Sequence, residues 1–134
     1  MRTAYVESSA VVKLATNEAE SDELRAMLVL DDILVTSRLT AVEVIRAGAR
    51  ADGDVGRALA RAALTRFATV PVDHAVLDAA ARLVPDQLRS LDAIHVATAL
   101  AVDDGDLVFY SYDRRALEAA RANGLRTASP GASL

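Results

Sequence analysis

The chain has 134 residues, no cysteine, few aromatics and a net charge of −4. It therefore has no disulfide framework or thiolate metal site, and its acidic balance excludes nucleic-acid binding through bulk positive charge while leaving room for a local basic surface. The length suits one domain over residues 1–134, and with 52% hydrophobic and 4% aromatic residues the core must be built from Ala, Val, Leu and Ile.

The start, from Met1 to Glu7, lacks the long apolar run of a signal peptide, and no apolar run approaches the ~20 residues that cross a bilayer. A soluble, cytoplasmic protein with no membrane contact is expected. Thr3–Val6 predicts a short strand ending at Glu7, followed by a turn at Ser8 and Ser9 and a short buried helix over Ala10–Leu14. Leu24, Met27 and Leu28 at helical spacing predict a helix over Ser21–Leu30, and Ile33–Thr36 a second strand. Ser37 is expected to cap a helix from about Arg38 to Arg50, striped by Leu39, Val42, Ile45 and Ala49, with Glu43 beside the stripe. Ala51–Asp54 reads as a turn, after which a second helix runs through Leu59 and Ala63 towards Phe67.

Thr69–Val72 reads as an edge strand because Pro71 cannot donate to a central ladder. Asp73 caps the next helix, which Pro85–Asp86 ends. The stretch Leu88–Leu100 is apolar almost all round, the pattern of a buried helix, with Ser90 as its expected N-cap. Leu107–Tyr110 is a strand, Arg114–Ala122 a helix with Asn123–Gly124 as its left-handed cap, and Leu125–Ala128 a last strand. Strands alternating with helices predict a three-layer α/β/α sandwich around a central, mainly parallel sheet.

In such a sheet, sites lie outside the carboxyl ends of the strands. Glu7 is the first residue past the first strand, Asp113 follows the Leu107–Tyr110 strand, and Asp92 sits in the first turn of the buried helix. Each has a plain structural reading: Asp92 and Asp113 as helix-start residues, Glu7 as a solvated strand end, and Glu43 in an exposed ladder with Arg46 and Arg50. Together they predict an acidic pocket in which a hard cation, Mg²⁺ or Mn²⁺, offsets mutual repulsion. With no Cys and only His74 and His95, zinc is a poor occupant. His95, one turn beyond Asp92, is expected beneath the site, hydrogen-bonded to backbone.

Tyr5–Leu14, Thr36–Ser37 with Val42–Ala47, Leu88–Ala99 and Ser111–Arg115 together resemble the PIN-domain ribonucleases, specifically the VapC toxins of bacterial toxin–antitoxin pairs. The match runs in order over essentially the whole chain. The resemblance implies Mg²⁺- or Mn²⁺-dependent endonuclease action on RNA (tRNA or another structured RNA), a cognate VapB-like antitoxin and a homodimer. The family's four acids map onto Glu7, Glu43, Asp92 and Asp113, with Glu7, Asp92 and Asp113 as metal ligands, and its Ser/Thr before the last acid maps onto Ser111. Arg46, Arg50, Arg89, Arg114 and Arg115 are candidates for RNA phosphates.

One departure stands out. The family's first acid is nearly always Asp, and Glu7 carries the charge one methylene further out. A natural variant with shifted metal geometry and an introduced change that blunts a toxic enzyme both fit, and weakened activity is expected either way. Two other readings compete with the nuclease: a catalytically silent PIN-fold partner that binds antitoxin and acts in operator-bound autoregulation, and a Mg²⁺-dependent phosphohydrolase of small phosphate esters, whose nucleotide-binding version is weakened by the lack of a Gly-rich phosphate loop. The Ser21–Leu30 and Asp54–Ala68 helices carry more apolar surface than a small core needs, and one of them is expected to form a groove for an antitoxin helix.

Overall fold

Everything in the fold is arranged about β1 (Thr3–Val6), whose four residues are all buried. The other strands are β2 (Ile33–Ser37), β3 (Ala68–Val70), β4 (Val108–Tyr110) and β5 (Arg126–Ala128). They form one sheet of order β3-β2-β1-β4-β5 in which every pairing is parallel. The computed structural model describes residues 2–31 and 33–134; Met1, the first residue of the N-terminal stretch considered above, lies outside them.

Side-chain alternation along the strands builds two cores. Tyr5, with its register partners Val35 and Phe109, faces α5 (Ser90–Val102) and α6 (Arg114–Ala122). The Tyr5 and Phe109 rings stack at 5.3 Å between centroids, an arrangement worth about 1 kcal/mol beyond the area it buries. Ala4, Val6 and Tyr110 point the other way, into a core with Val11 of α1 (Ser8–Ala15), Leu24 of α2 (Ser21–Leu28) and Val44 of α3 (Arg38–Leu64). Helix α4 (His74–Ala81) packs on α5. The result is the three-layer α/β/α sandwich expected, and no helix among the described residues is long and apolar enough to cross a membrane.

Several boundaries differ from the sequence reading. Ser8 and Ser9 belong to α1 rather than a turn, because Glu7 itself is the N-cap and accepts from the Ser9 amide. Helix α2 stops at Leu28, and β3 ends before Pro71, although it is an edge strand as expected. Ser90 is not a cap: Arg89, extended at φ −67° and ψ 146°, is the N-cap of α5 and makes no side-chain capping bond. Leu91, inside the stretch expected to form a buried helix, is exposed.

The turn expected at Ala51–Asp54 is a break inside α3, with non-helical Asp52 and Gly53 at φ 49°. It folds the arm 54–64 back on the arm 38–51, and the two touch at Gly48 and Gly56, where a Cβ on either would collide with the other's carbonyl oxygen.

The chain builds the sheet outwards from β1 through β2 to β3, then returns to β4 beside β1 and continues to β5. The strand order therefore reverses between β1 and β4, and the crevice at their carboxyl ends is where open parallel sheets place ligands.

Candidate functional site

The amide of Glu7 donates to Tyr110 O at 2.9 Å, joining the carboxyl ends of β1 and β4 at that reversal. Helix α1 starts immediately after Glu7. Ser111 follows β4 directly, tied to the β5 end by its amide on Ala128 O at 3.2 Å and by Ser129 Oγ on its carbonyl at 2.7 Å. Asp113 caps α6, with Oδ1 accepting from the Arg115 amide at 2.9 Å. The first turn of α5 carries Asp92, and the first arm of α3 carries Glu43. All four acids line one open cleft of about 540 Å³.

Glu7 is held tightly. Its Oε1 accepts from Ser9 N at 3.2 Å, Ser9 Oγ at 2.5 Å and Ser111 Oγ at 2.6 Å. Both hydroxyls are themselves positioned by backbone donors, Tyr112 N on Ser9 Oγ at 2.8 Å and Asp113 N on Ser111 Oγ at 3.0 Å. Ser111 thus links the first acid to the last.

Glu43 belongs to a second network. Its Oε1 accepts from Ser8 Oγ at 2.5 Å and lies 2.8 Å from His95 Nε2, while Tyr5 Oη lies 2.7 Å from His95 Nδ1. Burial, then the charges of Glu7 and Glu43, raise the Tyr5 hydroxyl well above its ordinary value, so it stays protonated beside Nδ1, while Nε2 faces Glu43. His95 is buried as expected, but its partners are side chains rather than backbone. The ladder of Glu43 with Arg46 and Arg50 does not form; those arginines line a separate hollow with Arg57.

The two networks leave their acids in opposite electrostatic states. Burial works to raise Glu43, but the hydrogen bonds from His95 and Ser8 and the charge of His95 outweigh it, and its carboxyl sits below the ordinary value. Asp92 is raised, first by burial and then by the charges of Asp113 and Glu7, which His95 and Arg89 only partly offset. Asp92 accepts no hydrogen bond among the described residues, and Glu7 and Asp113 each use one oxygen, leaving Oε2 and Oδ2 without a protein donor. The donor chemistry is oxygen-only and suits a hard divalent cation. As the side chains stand, no group of three His, Asp or Glu among the described residues converges closely enough to ligate one ion.

Arg89, Arg114 and Arg115 line the same cleft, so the five candidate arginines divide into three at the acids and two elsewhere. Sequence reasoning missed Tyr5, Ser8 and Ser9 as members of the site. For Ser9 a signal existed: an acidic residue two positions before a Ser at a strand-to-helix junction is a capping pattern.

Comparison with known proteins gives the family. Residues 4–122 match the PIN domain. Ribonuclease VapC46 of Mycobacterium tuberculosis is 44% identical over 132 residues, covering 97% of this chain and 99% of that protein. The chain belongs to the PIN-domain family, among its VapC proteins. A second VapC relative, Ribonuclease VapC47 of Mycobacterium tuberculosis, is 37% identical, covering 96% of this chain and 97% of that one. The same PIN fold occurs in the DNA-bound VapBC of Salmonella typhimurium, with a TM-score of 0.74 at 15% identity over 96% of this chain and 98% of that one.

Proposed function

We propose that this VapC protein is a metal-dependent endoribonuclease, the toxin of a VapBC-type pair in the cytoplasm. The observation that carries the reading is the convergence of Glu7, Glu43, Asp92 and Asp113, distant in sequence, on one cleft at the β1/β4 reversal, with Asp92 pushed up by burial and by the charges of Asp113 and Glu7. Two relatives named as ribonucleases at 44% and 37% identity support RNA as the substrate.

In this reading Glu7, Asp92 and Asp113 would hold Mg²⁺ or Mn²⁺, which needs their side chains to swing together from their present positions. When bound, the ion would supply positive charge against the phosphate and Lewis acidity for water activation. The chain's own groups do the rest. Ser111 and Ser9 fix Glu7, Glu43 stays ionised on its His95 and Ser8 donors and accepts a hydrogen bond from the water, and Arg89, Arg114 and Arg115 anchor flanking phosphates. Water oxygen bonds to phosphorus, the bond to the leaving ribose oxygen breaks, and the proton passes to that oxygen, giving a phosphate monoester and a hydroxyl.

A VapB-like antitoxin is the expected partner, a reading supported by the Salmonella neighbour, which is a VapBC assembly. The apolar groove between α1 and the two arms of α3, lined by Val12, Ala15, Val44, Ala47 and Leu59, is its proposed seat. A homodimer belongs to the same reading.

A second reading is a silent partner that binds antitoxin without cutting RNA. It is favoured by the absence, among the described residues, of three acids gathered for one ion, and by Glu7 in place of the family's Asp. Incubation with total RNA and Mg²⁺ or Mn²⁺, followed by mapping of cut ends, decides between them. Defined ends that vanish with EDTA and with Asp92→Asn support the nuclease. Intact RNA together with tight antitoxin binding selects the silent partner.

A further inference from the structure

Beside the acid cleft lies a second cavity of about 510 Å³, and the two share Arg89, Asp92 and Arg115 along their common rim. Its walls differ in kind from those of the cleft. Arg115, Glu118, Ala119 and Ala122 stand at i, i+3, i+4 and i+7, so α6 presents one face with an apolar floor and a carboxylate set into it. Leu88 and Gln87, just before α5, form the opposite wall.

A phosphate does not suit this cavity, because Glu118 repels it and the alanine and leucine surfaces offer it nothing. A flat ring with hydrogen-bond donors on its edge does. Unpaired RNA bases are bound in this way, stacked on apolar or guanidinium surfaces and read along the Watson–Crick edge. Among the four bases guanine alone presents two adjacent donors, N1–H and N2–H, that match the two oxygens of a carboxylate, and its O6 accepts from an amide such as that of Gln87.

We propose that this cavity is a guanine subsite, which receives an unpaired guanine next to the phosphate held at the acid cleft. Glu118 is the specificity-determining residue, Gln87 supports it, and Arg89 and Arg115, at the rim, hold the phosphate that joins the two sites. The inference rests on the nuclease reading for its biological meaning but is tested without it.

The test follows backbone amide shifts of Gln87, Leu88 and Ala119 while guanosine 5′-monophosphate or uridine 5′-monophosphate is added to isotope-labelled protein. Both probes carry the same phosphate, so a difference reports the base. Guanosine monophosphate is expected to bind about tenfold more tightly, and Glu118→Gln to bring it down to the uridine level, as the loss of one bidentate base contact would do. Glu118 is exposed on its helix, so this variant keeps the fold. Equal binding of the two nucleotides, or selectivity that survives Glu118→Gln, overturns the subsite even if the protein cuts RNA. Guanine selectivity in a protein that leaves RNA intact upholds the subsite and removes the nuclease reading alone.

Discussion

The cleft has two halves that meet their negative charge in different ways. On the α1/α3 side, Glu43 rests on hydrogen bonds prepared by the fold, from Ser8 at 2.5 Å and His95 at 2.8 Å, with Tyr5 fixing the far ring nitrogen at 2.7 Å. On the α5/α6 side, Asp92 has no hydrogen-bond donor among the described residues and faces Asp113 and Glu7 across the cleft, its carboxyl raised by burial and then by their charge. One half is complete as a protein structure. The other leaves Asp92 only partly offset by His95 and Arg89, which is the physical basis for the proposal that a cation binds there rather than at Glu43.

The largest effect expected from breaking this division is at Asp92. Asp92→Asn removes a carboxylate that the fold only partly compensates, so RNA cleavage should fall about 1000-fold, the scale of the several kcal/mol that a lost metal ion supplies. Stability should move the other way. A group whose folded pKa is raised contributes most at low pH and loses that contribution as pH rises through the raised value, so relief from repulsion should leave the variant at least as stable as the parent at neutral pH. A variant that loses activity and melts lower would mean that Asp92 is structural. Glu7→Asp comes next. An Asp caps α1 at least as well as Glu, and drawing the charge in by one methylene should raise cleavage about 10- to 100-fold; equal rates for the two forms at saturating Mg²⁺ would overturn the expectation that Glu7 weakens the activity.

On the prepared half the expected change is in stability. His95→Leu strands the buried Tyr5 hydroxyl and removes a donor from Glu43, at a cost of about 2 kcal/mol read from urea unfolding. It should also flatten the acid limb of the stability profile. Because Glu43 sits below its ordinary value, its contribution is full above the carboxylate range and lost as pH falls through the lowered folded value, and without His95 that loss should shrink.

This same division marks what could be read from the sequence. Short apolar strands, caps at Ser37, Asp73 and Asp113, and the positions of Glu7 and Asp113 just past their strands were all visible, because each follows from local pattern and the parallel-sheet rule. The break at Asp52–Gly53 was legible for the same reason, as a Gly-containing turn between two helical stripes. The prepared half was not legible. Glu43 meets His95 across 52 residues and Tyr5 meets His95 across 90, and no local pattern distinguishes a histidine that donates to a carboxylate from one that donates to a backbone carbonyl. The start of α5 failed for a different reason: Ser90 has the side chain of a cap, but the chain is already helical there, and Arg89 takes the capping position through its backbone alone.

The smallest expected effect is the most informative about how the halves communicate. Ser111 donates to Glu7 Oε1 at 2.6 Å and accepts from the Asp113 amide at 3.0 Å, so it connects the acid after β1 to the acid after β4 without being an acid itself. Ser111→Ala leaves Glu7 with its two Ser9 donors and leaves the Asp113 amide without a partner, costing about 1 kcal/mol of stability. If Ser111 only supports the fold, cleavage at saturating metal should be unchanged once the protein is folded. If it holds Glu7 and Asp113 at a shared spacing, the metal concentration needed for half-maximal cleavage should rise about tenfold while the maximal rate changes little, the scale of a lost partner that orients a ligand. Ser111→Thr, which keeps the hydroxyl, should restore the parent's metal requirement, and a threonine variant as defective as the alanine would assign the effect to packing rather than to the hydrogen bond.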